Sequence, residues 1–361
     1  DRTVRPLPDA VSELRLHKTV TRTRDYGSLK LERALQGATG PQDVVIRLKT
    51  APTARVKGAA GQRAQATKVK TQQQGFEARA SKIDRTFKVL ARTTVSLNAV
   101  VARVNGKQLA KLATDPSVAS IRKVRDYQLD LSETVPYIGG TAVQGLGVTG
   151  EGITVAVLDS GIDYTHKDLG GPGTLLAYKN AYGTKTKDTK NTKINDAYKG
   201  KKLFPTAKVI GGYDFVGESW PNGALAPDPD PIDCGGPVVK DGCDGGHGTH
   251  VADIIAGRLG VAPDATLLAI KVCSAVANSC SGIALLQGMD FALDPNRDGV
   301  TTDHADIINM SLGSDYGQPG DDDLVAAVES ATAAGVLTVA SAGNGSDKPY
   351  IAGTPASAPT A

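Results

Sequence analysis

Three short segments carry the side chains best suited to chemistry. The run Val155-Ala156-Val157-Leu158 ends in Asp159-Ser160-Gly161, which puts a carboxylate at the tip of a buried strand. In Gly245-Gly246-His247-Gly248-Thr249-His250 an imidazole sits among glycines that let the backbone come close on both sides. Thr249 is placed to cap a following helix, which sets His247 at or near its start. Ser341-Ala342-Gly343-Asn344-Gly345 follows another buried run, and an Asn amide at a strand tip can donate to a developing oxyanion. A zinc reading of His247 and His250 fails on spacing, because helical zinc sites use histidines four apart with a glutamate between them. Each segment alone also has an ordinary reading as a loop cap or a turn.

Together the segments resemble the subtilisin-like serine peptidases, or subtilases. The matching stretches are Val155–Asp163, His247–Ala252, Gly260-Val261-Ala262-Pro263, Ile308–Gly313 and Ala342-Gly343-Asn344. The likeness runs from about residue 135 to the end of the chain. Residues 43–130 resemble, by pattern alone, the family's inhibitory propeptide domain. The resemblance implies that Asp159 orients and stabilises the imidazole of His247, and that His247 is general base and then acid. Asn344 would be the oxyanion donor. Ser311, Leu312 and Gly313 would bind the substrate backbone as an added strand, and Ser341, Ala342 and Gly343 would line the first specificity pocket.

The match is incomplete. The family's nucleophile sits in Gly-Thr-Ser-x-Ala, but Gly353-Thr354-Pro355-Ala356-Ser357 has proline in the serine position. The nucleophile is therefore expected beyond residue 361, and this chain alone is expected to be inactive. Propeptide cleavage is expected near residues 126–134, with Asp126-Tyr127-Gln128-Leu129-Asp130 lying in the substrate groove like a product. No cofactor is implied for catalysis. Asp168 matches a calcium ligand of the family, but the loop that would complete that site is short here. A separate structural Ca²⁺ loop is suggested by Asp294, Asn296, Asp298 and Asp303, with Gly299 at the sharp turn. An ordinary Asx-rich turn accounts for the same residues.

The elements that must position these groups fall into two sets. Val44–Leu48 reads as a strand, 61–83 as a helix, Phe87–Val104 as two strands, Gly106–Asp115 as a helix and Val118–Leu131 as a strand. That β-α-β-β-α-β order is the split ferredoxin-like pattern. Further on, apolar runs at 152–158, 266–272, 306–310 and 335–340 alternate with helical stretches at 249–256, 282–293 and 324–334. Alternation of this kind makes an open parallel sheet with helices on both faces and its chemistry at the carboxyl ends of the strands. The expected fold class is thus α/β, a subtilisin-like parallel sheet preceded by an α+β ferredoxin-like propeptide domain. Its parts are an N-terminal extension (1–40), the propeptide domain (41–130) and the N-terminal part of the catalytic domain (131–361).

Composition narrows the function classes. The chain has 361 residues, 40% hydrophobic and 22% charged, which excludes a disordered chain. No apolar stretch approaches the ~20 residues of a membrane helix. Aromatic residues are only 4%, so stacking on nucleic-acid bases is disfavoured. Residues 1–130 carry a net charge of +15 and residues 131–361 a net −12, consistent with two parts that dock on each other. Cys234 with Cys243, and Cys273 with Cys280, would close short disulfide loops and point to a secreted or periplasmic protein; four free thiols are the alternative. The expected partners are protein or peptide substrates, with the propeptide as an intramolecular inhibitor, and neither nucleic acid nor a membrane span. Two other readings remain. Gly145-Leu146-Gly147-Val148-Thr149-Gly150 formally fits a dinucleotide fingerprint, but it precedes its strand instead of following it. A non-catalytic chain whose first domain inhibits peptidases or assists folding is the stronger alternative.

Overall fold

The computed structural model describes residues 30–129, 138–183, 197, 198, 201–235, 243, 245–320, 322–345 and 348–361, with the side chains of 126–129, 197, 198 and 201 excepted. Most of the expected N-terminal extension and the residues from Asp130 to Tyr137 lie outside the described residues.

The first unit consists of β1 (Pro41–Leu48), α1 (Ala59–Ile83), β2 (Lys88–Thr93), β3 (Ala99–Asn105), α2 (Leu109–Ala113) and β4 (Val118–Lys123). Its antiparallel sheet has the order β2-β3-β1-β4, which is the ferredoxin-like topology. The reason β1 reads as an unbroken apolar run is visible in its packing. Val44, Ile46 and Leu48 face Phe76, Leu109 and Leu112. Val45 points the other way, into a second cluster shared with the rest of the chain. A sheet covered on both faces has no polar side to alternate with. Helix α1 buries Gln62, Ala66, Val69, Gln73, Phe76 and Ala80, a spacing of three and four along a polar helix. The unit also reaches further back than residue 41. Leu31 bridges to Ile121 and Leu35 is buried in the core. Two leucines in a polar stretch are too few to show a period.

The run Val118–Leu131, expected as one strand, is two. β4 ends at Lys123, and β5 (Asp126–Leu129) leaves for another sheet.

The second unit contains α3 (Gly140–Gln144), β6 (Thr154–Asp159), α4 (Leu175–Tyr182), β7 (Ala197–Tyr198), β8 (Lys201–Lys202) and β9 (Val209–Asp214). It continues through α5 (His247–Ala256), β10 (Thr266–Lys271), β11 (Cys280–Ser281), α6 (Gly282–Leu293), β12 (Ile307–Met310), β13 (Leu312–Gly313), α7 (Asp323–Ala334) and β14 (Leu337–Ala340). Strands β14-β12-β6-β10-β9 form a wholly parallel sheet. Alternate residues of β6 serve opposite faces. Val155 and Val157 pack with α4 and α5, while Ala156 and Leu158 pack with α6 and α7. The chain proceeds from β6 to one edge and then crosses to the other, so β6 is the point where strand order reverses. In such sheets the crevice for chemistry opens beyond that strand's carboxyl end.

Helices α6 and α7 carry the first unit. Val45, Ala91, Val95, Leu97 and Val101 share one apolar cluster with Leu285, Leu286, Met289, Leu324 and Val328. At its margin the half-buried Asp290 carboxylate accepts from the backbone N–H groups of Thr94 (2.6 Å), Val95 (3.2 Å) and Ser96 (2.7 Å), and from the Ser96 hydroxyl. Arg55 donates to Ser330 (3.1 Å) and pairs with Glu329 (3.4 Å). Gln62 exchanges hydrogen bonds with Thr301 through its Nε2 (2.8 Å) and Oε1 (2.9 Å).

Candidate active site

Asp159 closes β6 and is fully buried. Its Oδ1 accepts from the N–H of Ser160 at 2.7 Å. His247 Nδ1 lies 2.8 Å from Oδ1 and 2.9 Å from Oδ2 of the same carboxylate. An acceptor-only carboxylate fixes the proton of a neutral imidazole on Nδ1 and so makes Nε2 the nitrogen whose lone pair can act as a base. The His247 side chain is 12% exposed, so the base is reachable from the cleft while its partner is not.

The helix start that presents His247 is held from several sides. Gly248 must be glycine, since a Cβ there would stand 2.2 Å from the Gly161 carbonyl oxygen. Its N–H donates to the buried Ser160 hydroxyl at 2.9 Å, which ties the strand tip to the helix. The expectation that Thr249 caps this helix is corrected. The helix begins at His247 with Gly246 at the N-cap. Capping comes from a distant chain segment instead, because Asp233 accepts from the N–H groups of Gly246 (3.0 Å) and Thr249 (3.1 Å) and from the Thr249 hydroxyl (2.6 Å). The Thr249 hydroxyl oxygen in turn accepts from the N–H of Asp163 at 2.9 Å. Burial pushes the Asp233 carboxyl up to about 7, against the hydrogen bonds it accepts and with the Asp159 charge adding to the rise. Asp233 and Ser160 were not legible as site residues. The available signal was an aspartate just upstream of the Cys- and Gly-rich run before His247.

Beside Asp159 in the sheet stands Lys271, the last residue of β10 and its register partner. Lys271 is wholly buried and pairs with Asp214 at 3.2 Å and with Glu218. Burial opposes its charge, but those two carboxylates hold the ammonium's pKa well above the ordinary lysine range. Its charge is thus spent on Asp214 and Glu218, at the neighbouring tips.

Ser341–Asn344 follow β14 on the same carboxyl edge, two strands from Asp159, with the Ser341 N–H donating to Met310 O at 3.1 Å. Asn344 is exposed in that turn. Ser311 accepts from the Asn309 amide at 3.0 Å and leads into Leu312 and Gly313, which form β13. Between β11 and β13 lies β5, antiparallel to both. Tyr127 pairs with Cys280, Asp126 with Ser281, Gln128 with Gly313 and Leu129 with Leu312. The tail of the first unit is therefore inserted as the middle strand of a three-stranded sheet. Both expected disulfides, Cys234–Cys243 and Cys273–Cys280, are formed. The second ties β11, one wall of that groove, to the end of β10.

Asp168 is engaged by Arg258 at 3.0 Å. Asp294, Asn296, Asp298 and Asp303 share one loop closed by its own amides. The N–H of Gly299 donates to Asp294 (2.9 Å), that of Asp298 to Asn296 (2.8 Å), that of Val300 to Asp298 (2.9 Å) and that of Asn296 to Asp303 (3.0 Å). Among the described residues no group of three or more His, Cys, Asp or Glu side chains converges as a metal site.

The Asp159–His247 pair thus stands at the reversal strand of a parallel sheet, beside the groove that holds β5. The subtilase family model matches residues 150–361, and the chain belongs to that family. It is 30% identical to subtilisin E of Bacillus subtilis over 258 residues, covering 69% of this chain and 50% of that protein. It is 32% identical to the minor extracellular protease Vpr of the same organism over 228 residues, 62% of this chain and 22% of that one. With the PII-type proteinase of Lactococcus lactis subsp. cremoris it shares 35% over 211 residues, 54% of this chain and 9% of the relative. The chain thus spans at most half the length of these relatives. Among solved structures, fervidolysin from Fervidobacterium pennivorans, a keratinolytic enzyme related to subtilisin, superposes with a TM-score of 0.51 at 16% identity, covering 88% of this chain and 42% of that one. That likeness speaks for the fold. No helix among the described residues is long and apolar enough to cross a membrane.

Proposed function

We propose that the chain belongs to the precursor of a secreted serine endopeptidase, and that residues 41–130 are its inhibitory propeptide domain. In this reading Asp159 holds His247 in the tautomer whose Nε2 deprotonates a serine hydroxyl, and the resulting imidazolium then protonates the leaving amine. The nucleophilic serine lies downstream of the segments matched here, and Asn344 stabilises the oxyanion. The observation that carries the reading is the 2.8 Å contact between His247 Nδ1 and a fully buried Asp159. The insertion of β5 between β11 and β13 supports the inhibitory role, because main-chain pairing of this kind is how an extended peptide is held on a sheet edge. The two disulfides and the extracellular relatives support secretion. Catalysis is read as needing no cofactor, and a thermal-shift titration with Ca²⁺ tests whether the Asp294–Asp303 loop, which its own amides close, takes a structural ion.

The experiment is hydrolysis of an unfolded protein substrate by the full-length protein freed of its first unit and by its His247→Ala variant treated in the same way. The reading requires hydrolysis that the variant loses. Equal hydrolysis by both, or none by either, contradicts it.

A further inference from the structure

Arg125, the residue just before β5, reaches across to Asp322 with its Nη1 3.3 Å from Oδ2, and is held on its other side by Glu32 of its own unit. Asp322 and Asp323 stand at the head of α7, where Asp322 Oδ1 also caps the helix by accepting from Leu324 N–H at 2.8 Å. They line a small cavity at the junction with Gly282, Leu285, Leu286 and Leu324 from the second unit and Val45 and Arg122–Arg125 from the first. Asp323 is 8% exposed, yet its Oδ2 accepts no hydrogen bond. Gly282 lets the strand lie close, since a Cβ there would meet the Arg125 carbonyl oxygen at 1.9 Å.

We propose that the wall the second unit contributes to this cavity is a binding subsite for a long basic side chain of the substrate, with Asp322 as its specificity-determining residue and Arg125, paired with it at 3.3 Å, as the chain's own occupant. The proposal rests on the peptidase reading above. A peptide that replaces β5 in the same antiparallel register places its residue at the Arg125 position over the cavity. An arginine or lysine there lays its aliphatic stem on Leu285, Leu286 and Leu324 and its charged head against Asp322, and it offers donors to the unsatisfied Asp323 oxygen. A glutamate there meets two carboxylates and is rejected. Among the described residues the pairing ends at Leu129, so the subsite reads the fifth residue before the cleaved bond or one farther upstream.

The test uses the full-length protein after removal of the first unit. It digests a complex peptide mixture, and mass spectrometry maps every cleavage. The expected result is enrichment of Arg and Lys over Ala by about fivefold or more at a single position that far upstream, with Glu depleted. Asp322→Asn keeps a capping oxygen for α7 and removes the charge, and it brings the enrichment below about twofold. Asp323→Asn is the second variant should the first fail to fold, and it lowers the enrichment too. Cleavage that depends on His247 but shows no basic preference that far upstream, or a preference that both neutral variants retain, overturns the subsite while leaving the peptidase reading intact. Absence of His247-dependent cleavage overturns both.

Discussion

In the proposed mechanism, catalysis depends on which nitrogen of His247 carries the proton, and Asp159 decides it. Asp159→Asn replaces an acceptor with a group that can donate, so the imidazole is held in the wrong tautomer while the geometry survives. Peptide hydrolysis by the full-length protein is then expected to fall about 10⁴-fold, with KM little changed, as for the same constellation in other serine peptidases. Asn344→Ala should cost about 10²–10³ in kcat, the loss known for the equivalent donor in subtilisin. Asp233 acts one step removed. It touches no reacting atom but gathers two N–H groups and a hydroxyl at the start of α5. Asp233→Ala is expected to lower kcat more than it raises KM, and Asp233→Asn, which keeps an acceptor oxygen, to recover part of the loss. Equal kcat in all three proteins would remove its positioning role. Asp159 and His247 were legible because glycines and a buried run mark them in the sequence. Asp233, Ser160 and Lys271 were not, because each acts through backbone or ion-pair partners that only the folded loops bring near.

Helices α6 and α7 serve the sheet on one side and the first unit on the other. Asp290 concentrates this on a single turn, where it takes three N–H groups and a hydroxyl from residues 94–96. Asp290→Ala should therefore speed hydrogen exchange of the Thr94–Ser96 amides by at least roughly tenfold while the β6 amides keep their protection. The acidic head of α7 gives the interface a pH dependence. Burial pushes the Asp323 carboxyl up to about 7, with Asp322 adding to the rise and Arg47 and Arg122 opposing it. A folded-state pKa above the unfolded value contributes stability in full below the ordinary carboxylate range, and that contribution is lost as pH rises towards 7. The urea midpoint of Asp323→Asn is thus expected to match that of the parent near pH 4 and to exceed it progressively up to pH 7. A constant offset across that range would rule the effect out. Most of these elements follow from the sequence pattern, since α6 spans the residues its apolar run predicts. β9 does not, because Gly211 and Gly212 interrupt its apolar run. β5 was hidden for a different reason. It is a strand by virtue of its two partners, and its own residues do not separate it from β4.

At the scale of the whole molecule, a basic unit lies on an acidic one, and the junction is mainly apolar with charge at its rim. The opposite net charges were legible in the sequence and the docking surface was not, because the residues that make it alternate with core residues along the same strands and helices. The same junction places β5 between β11 and β13 and Arg125 against Asp322, so the proposed inhibition and the proposed substrate preference rest on one contact. The Cys273–Cys280 bridge fixes the β11 wall of that groove. Replacing both cysteines by serine should reduce unfolding stability by about 2–3 kcal/mol, measured by urea titration. All of this presumes that the Asp159–His247 pair serves a serine nucleophile. The most direct measurement is labelling of the full-length protein, freed of its first unit, with a fluorophosphonate probe, followed by peptide mapping. The account predicts one labelled serine downstream of Asn344, with labelling abolished in His247→Ala. A labelled serine indifferent to His247, or no labelled serine at all, would contradict it.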